Sequence, residues 1–89
     1  MLTIQVLGPG CSKCNFLEDR AQLALKEIEA EYPDVSGVIK KVSDIDVFLE
    51  YGLLTAPGLV INGKLVCSGR VASQETIASW MREALDESL

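Results

Sequence analysis

Residues 58–69, GLVINGKLVCSG, carry the strongest structural signal in the chain. Two β-prone apolar runs, residues 59–61 and 65–67, flank the dipeptide Asn62-Gly63. Asparagine and glycine both tolerate positive φ, which a two-residue type I′ turn requires at its two central positions. The segment therefore predicts a β-hairpin.

Upstream of the hairpin, strand-like and helical patterns alternate along the chain. Residues 2–7 are a β-rich run that ends at the breakers 8–10, and residues 35–42 form a second β-like run. Between the two runs, from Ser12 until Pro33 ends the pattern, apolar residues recur at helical spacing. These residues are Leu17, Ala21, Ala24, Leu25 and Ile28.

Two further helices complete the prediction. Ser43 or Asp44 can cap a short helix that ends near Gly52, with a common face made of Ile45, Phe48 and Leu49. Ser73 can cap a last helix, and its apolar stripe is Ile77, Met81, Ala84 and Leu85. The predicted order of elements is β-α-β-α-β-β-α.

This order of elements defines the predicted fold class, α/β. A right-handed crossover through the first helix makes strands one and two parallel, and the hairpin adds an antiparallel pair beside them. We expect a four-stranded mixed sheet with helices on both faces. At 89 residues, the chain is predicted to form a single domain over residues 1–89.

Composition excludes several classes of function. The formal net charge of −5 disfavours nucleic acid as a partner. No apolar run has the 18 or so residues of a membrane helix, and the first residues do not read as a secretion signal, so we expect a cytoplasmic protein without a membrane partner. The absence of histidine excludes Cys-His and Ser-His-Asp catalysis and every zinc site that needs histidine.

Two cysteines, Cys11 and Cys14, flank the predicted start of the first helix. The helix dipole favours a thiolate at Cys11, and Lys13 adds a positive charge; Ser12 and Lys13 between the sulfurs would tune the thiolate. Spacing of i, i+3 brings Cys14 to the same side of the first turn, where it is expected to be the less exposed sulfur. The pair therefore predicts thiol–disulfide exchange, in which Cys11 attacks and Cys14 resolves the mixed disulfide.

Other readings of the cysteines stay open at this level. The pair could hold copper(I), or supply half of a four-cysteine zinc site in a dimer, which would make the chain a cytoplasmic metal-binding protein or metallochaperone. It could also be two small buried apolar side chains. Cys67, in the second hairpin strand, is predicted to act as an apolar residue, with a regulatory role as the alternative.

Nearly the whole chain, from strand one and C-S-K-C to T-A-P-G-L-V-I-N-G-K-L-V-C-S-G-R-V and a closing helix, resembles small thioredoxin- and glutaredoxin-like proteins. It is most similar to compact redox-disulfide proteins of archaea and anaerobic bacteria. The resemblance implies a thioredoxin-like fold and a protein disulfide oxidoreductase with no cofactor beyond a redox-active Cys11–Cys14 disulfide. It also implies disulfide-containing protein substrates, and a disulfide reductase or a low-molecular-weight thiol as electron donor.

The same resemblance assigns roles around Pro57. The matching proline of the superfamily is cis and lies against the cysteine pair; Ala56 would offer backbone groups to an extended substrate, with Thr55 at the edge of the groove. The chain also departs from the family pattern. Gln5 stands where thioredoxin has a buried, proton-accepting aspartate, and residues 69–73 do not match a glutathione site.

Overall fold

The structure is a computed structural model that describes residues 2–8, 12–53 and 55–87. Its helices and strands follow the predicted order, and their bounds are β1 (Leu2–Leu7), α1 (Ser12–Glu31), β2 (Gly37–Val42), α2 (Ile45–Glu50), β3 (Gly58–Ile61), β4 (Lys64–Ser68) and α3 (Gln74–Glu87). The strands form one mixed sheet in the order β2-β1-β3-β4. β1 is parallel to β2 and antiparallel to β3, as the crossover and the hairpin predicted.

The predicted hairpin turn is confirmed at its two central residues. Asn62 has a φ of 50° and Gly63 a φ of 82°, the positive values that a type I′ turn needs. Asn62 also ties the turn to β1, because its backbone N–H donates to the Thr3 carbonyl and its Oδ1 accepts from the Thr3 N–H, at 2.8 and 2.9 Å. The turn thus fixes the register between β1 and the hairpin.

One face of the sheet, which we call the two-helix face, is covered by α1 and α3. Side chains from alternate positions of the strands meet the apolar stripes of both helices there, and the predicted stripe of α1 is buried. Nine of these large side chains are fully or almost fully buried: Leu2, Ile4, Val6, Leu17, Ile28, Leu59, Ile61, Ile77 and Met81. This layer is the main hydrophobic core.

The opposite face, the α2 face, carries a smaller cluster. Leu7, Leu53 and Val60 are buried there, and Val47 and Phe48 of α2 pack against them. Of the expected common face of Ile45, Phe48 and Leu49, only Phe48 packs on the sheet, since Ile45 is 68% and Leu49 65% exposed. Asp44 accepts from the Asp46 N–H and sets the start of a helix of only six residues, which turns residues 47 and 48 inward instead.

One smaller difference from the sequence prediction concerns the start of β2. β2 begins at Gly37 rather than at residue 35, because the Val35 N–H donates to the Tyr32 carbonyl at 2.9 Å and belongs to the turn after α1. Ser73 caps α3 as predicted, since its Oγ accepts from the Thr76 N–H at 3.2 Å. Of the helices in the described ranges, none is long and apolar enough to cross a membrane.

Candidate active site

The site lies at the end of the sheet where the parallel strands β1 and β2 both finish. Gly8 follows β1 and is buried, and its N–H donates to the Val42 carbonyl at 2.9 Å, which joins the two strand ends. Cys14 lies in the first turn of α1 with only 2% of its surface exposed. The helix therefore begins directly above the end of β1.

Gly8 provides the space that Cys14 occupies. A Cβ atom on Gly8 would overlap the Cys14 Sγ and would lie 3.2 Å from the Cys14 Cβ. Any larger residue at position 8 must displace this thiol or the start of α1. In the sequence, Gly8 is only one of the breakers that end strand one; the structure adds that it makes room for Cys14.

Pro57 lies close to the same glycine. Its peptide bond with Ala56 is cis, its side chain is fully buried, and its Cα would lie 3.9 Å from a Cβ on Gly8. Cys14 and Pro57 thus both approach the position that a Cβ on Gly8 would occupy. Ala56, before this buried proline, is half-buried, and Thr55 is exposed. The chain that leads into β3 therefore passes from the surface into the interior.

The predicted site residues are therefore distributed as follows. The structure brings Cys14, Pro57 and the neighbouring residues Ala56 and Thr55 to one end of the sheet. Ser12 and Lys13 are exposed in the first turn of α1. Cys11 lies outside the described residues, so its predicted place at the helix start and its link to Cys14 stay predictions.

The electrostatic setting of the first turn of α1 favours a negative group. This turn contains no acidic residue, and Lys13 is exposed on it. The unpaired N–H groups and the partial positive charge at a helix start stabilise anions there. Lys41 of β2 donates to Asn15 Oδ1 at 3.1 Å, and its Nζ lies 3.5 Å from a carboxylate oxygen of Glu18. Glu18, the acidic residue of this contact, lies beyond the first turn of α1.

Cys67 lies elsewhere and belongs to the core of the two-helix face, with 5% of its surface exposed. The prediction of an apolar strand residue is thus confirmed for its packing. Its Sγ also donates to the Arg70 carbonyl at 3.4 Å, a contact that the sequence did not indicate. Cys67 therefore holds the turn that follows β4.

That turn is a part of the site that the sequence analysis missed. The Gly69 N–H donates to the Pro57 carbonyl at 2.8 Å, and a Cβ on Gly69 would lie 3.3 Å from Thr55. Gly69 has a φ of 74°, which favours glycine. The only signal in the sequence is Gly69 itself, the last residue of the predicted hairpin segment.

Gln5, the residue that replaces the family's aspartate, lies on β1 opposite Val60 of β3. Its Oε1 is buried and has no hydrogen-bond partner among the residues described. A glutamine amide cannot take up a proton near neutral pH. Gln5 therefore cannot act as a proton acceptor at this position.

No three cysteine, aspartate or glutamate side chains in the described ranges cluster closely enough to hold a metal ion. Because Cys11 is outside those ranges, the thiolate metal-binding alternative stays a prediction. Metal analysis of freshly reduced protein tests it, and stoichiometric copper or zinc would support it.

The fold and the cysteine–glycine–proline arrangement define a class, that of thioredoxin-fold proteins. Among solved structures, the chain is similar to human ERp44: two crystal forms, one of them zinc-bound, give TM-scores of 0.65 and 0.64 at 20% identity. These alignments cover 92% of this chain but only 26% and 24% of the ERp44 chains, so the likeness concerns the fold alone.

Sequence comparisons specify the family. The model of the thioredoxin domain family matches residues 2–82. A thioredoxin of Methanothermobacter thermautotrophicus is 43% identical over 79 residues, 86% of this chain and 94% of the relative. A thioredoxin of Methanocaldococcus jannaschii is 28% identical over 86 residues, 97% and 93% of the two chains. The chain belongs to the thioredoxin family and is, in general terms, a thiol–disulfide oxidoreductase.

Proposed function

We propose that the chain reduces or exchanges disulfides of protein substrates through Cys11 and Cys14. One observation carries the proposal: Cys14 is buried in the first turn of α1 against Gly8, and the cis-Pro57 lies close to the same point of that glycine. A buried thiol at a helix start suits the second step of an exchange reaction, because bulky substrates cannot reach it directly. Cys11, three residues earlier, is then the thiol that substrates meet first.

The reaction proceeds in two exchanges. The Cys11 thiolate attacks one sulfur of the substrate disulfide; a Cys11–substrate bond forms, and the other substrate sulfur leaves as a thiolate that takes up a proton. The Cys14 thiolate then attacks the Cys11 sulfur, forms the Cys11–Cys14 disulfide and releases the second substrate thiol. Two electrons pass from the dithiol to the substrate, and no further cofactor takes part.

The surrounding residues serve binding and tuning in this proposal. Ala56 and Pro57, with Thr55 at the edge, shape the groove that receives an extended substrate, and their graded exposure from buried proline to exposed threonine supports that role. Ser12 and Lys13 tune the pKa of the Cys11 thiol through the helix start and the positive charge between the sulfurs. Each substitution there is expected to change rate more than fold.

The partners follow from the same chemistry. Substrates are proteins with accessible disulfides, and the oxidised pair is returned to the dithiol by a disulfide reductase or by a low-molecular-weight thiol. We place the reaction in the cytoplasm, where a C-x-x-C pair is more often catalytic than structural. To identify the donor, the rate at which the oxidised protein regains its dithiol would be measured once with lysate flavoprotein fractions and once with small thiols, and the two rates compared.

An insulin-reduction assay with dithiothreitol tests the proposal. Wild type is expected to accelerate reduction, and Cys11→Ser to abolish the acceleration, because serine cannot form the mixed disulfide. Cys14→Ser should instead accumulate a covalent Cys11–substrate adduct, visible on a non-reducing gel. Ala30→Ser is the control, since it introduces a serine at an exposed position of α1 away from the site. Equal activity of wild type and Cys11→Ser would contradict the proposal.

A further inference from the structure

The turn after β4 is in contact with the groove residues. Its Gly69 donates to the Pro57 carbonyl at 2.8 Å and packs beside Thr55, where only 3.3 Å would separate a Cβ from the threonine side chain. Arg70 follows directly in the chain and is exposed. The backbone of Arg70 is therefore joined, through Gly69, to the residue that precedes β3.

The position of Arg70 is fixed from the core. Its carbonyl accepts from the Sγ of Cys67, which is 5% exposed and packed among residues of the main core. With Gly69 bound to Pro57 on one side and Cys67 on the other, the backbone of the turn is held at two points. The guanidinium consequently projects from an anchored position and not from a loose loop.

This guanidinium has no acidic partner within the described part of the chain. Two other cations on the surface, Lys41 and Arg82, each contact a carboxylate, at 3.5 Å and 2.7 Å, whereas no carboxylate in the described ranges lies within ion-pair distance of Arg70. The protein as a whole carries a net charge of −5. Arg70 is therefore a local positive charge, available to an incoming group, on an acidic molecule.

A shallow groove leads to Arg70 along the edge of the sheet. Its volume is about 410 Å³, and it is lined by Leu65, Val66, Cys67, Ser68 and Arg70. β4 is the last strand of the sheet, and its Ser68 pairs with Gly58, the residue after Pro57. The groove therefore runs along an edge strand whose end lies beside the candidate site. An extended segment with an acidic side chain would match this surface in shape and in charge.

We propose that Arg70 is a specificity-determining residue that selects protein disulfides with an aspartate or glutamate in the extended segment close to the reacting cysteine. The inference rests on the proposed thiol–disulfide exchange and names the class of substrate for that same site. Arg70 is proposed to bind the substrate and not to take part in the exchange of sulfurs. Its effect is expected in KM, because it binds a remote part of the substrate, and not in kcat.

The test compares two fluorescent peptide disulfides that differ only in glutamate or glutamine beside the cysteine, with neutral 2-hydroxyethyl disulfide as a third substrate. Wild type is expected to favour the glutamate peptide about two- to fivefold in kcat/KM, the range of an exposed ion pair, and added salt should reduce this preference. Arg70→Glu should abolish or reverse the preference, and Arg70→Lys should keep most of it.

Lys26→Glu is the matched control, because it makes the same change in net charge at an exposed position of α1, roughly 18 Å along the helix from Cys14. It should leave the peptide preference as in wild type. If Arg70→Glu keeps the wild-type preference while all variants reduce 2-hydroxyethyl disulfide equally, the inference is wrong. If wild type reduces none of the three substrates, the proposed function itself fails.

Discussion

The two faces of the sheet differ in how they are covered. On the two-helix face, α1 and α3 bury a continuous layer of large aliphatic side chains. On the α2 face, a helix of six residues, none of them fully buried, covers a cluster of three buried residues. The same strands therefore supply a thick core on one side and a thin one on the other.

This difference indicates where the folding free energy is located. Fully buried aliphatic side chains contribute most to stability, and nearly all of them lie on the two-helix face. The end of the sheet that carries the candidate site belongs to the same layer, because Cys14 is in α1 and meets Gly8 there. The α2 face is expected to open at lower cost than the main core.

The largest predicted effect compares one substitution on the two faces. Ile77→Ala removes a fully buried side chain of α3 and should lower the free energy of unfolding by about 2–5 kcal/mol. Ile45→Ala makes the same change on α2, where the side chain is 68% exposed, and should change it by less than about 0.5 kcal/mol. Urea denaturation followed by circular dichroism measures both.

Equal losses in these two variants would break the comparison between the faces. A large loss in Ile45→Ala would mean that α2 packs more closely on the sheet than its exposure indicates. A small loss in Ile77→Ala would mean that the core of the two-helix face collapses around the cavity.

The next effect concerns the site end of the two-helix face. Gly8→Ala places a methyl group on the Cys14 thiol and should cost about 1–3 kcal/mol of stability by overpacking. It should also slow insulin reduction, because Cys14 and the start of α1 must shift. Gly52→Ala is the control, since no atom lies within 4 Å of a Cβ there and the cost is only that of its φ of 72°.

A Gly8→Ala variant with wild-type activity would show that the position of Cys14 is not critical for exchange. Loss of activity in Gly52→Ala as well would point instead to general destabilisation.

Most of the fold could be predicted from the sequence because each element has its own local signal. Asn62-Gly63 defines the hairpin turn, and the period of apolar residues defines α1. For α2, the predicted face includes Ile45 and Leu49, which are exposed, and lacks Val47, which packs on the sheet. Six residues are too few for periodicity to distinguish which side of a helix meets the sheet. The bounds of β2 depend on a turn hydrogen bond at Val35 that no local pattern reveals.

The site was predictable only in part, because its contacts join residues distant in sequence. Cys14 and Pro57 were identified by a motif and a resemblance, but their meeting at Gly8 depends on the pairing of β1 with β3. The turn at Gly69 and Arg70 had no functional signal beyond one glycine. The turn lies beside Thr55 because β4 pairs with β3.

A smaller effect is expected from Gln5, which lies on the α2 face beside Val60. Its buried Oε1 has no partner in the described ranges, and such a group costs free energy. Gln5→Leu should therefore raise the free energy of unfolding by about 1 kcal/mol. Thr3→Leu, two residues away on the same side of β1, is the control and should stay within about 0.5 kcal/mol of wild type. Destabilisation by Gln5→Leu would indicate that the amide is satisfied in solution.

The smallest effect is a dependence on pH at the outer edge of the two-helix face, where Arg82 of α3 joins α1. Arg82 Nε and Nη2 donate to the two carboxylate oxygens of Glu31 at 3.0 and 2.7 Å. These hydrogen bonds lower the pKa of Glu31 from its ordinary 4.5. The same bonds raise the pKa of Arg82, which stays charged throughout the acidic range.

Because the pKa of Glu31 is lower in the folded state than in the unfolded state, its stabilising contribution is present above about pH 4.5 and is lost as the pH falls through the lowered value. Glu31→Gln should therefore be less stable than wild type at pH 7, and the difference in free energy of unfolding should vanish in acid. In an Arg82→Met background, Glu31→Gln should show no such dependence, since the charged hydrogen bonds are already absent. An unchanged dependence in that background would assign it to groups other than this pair.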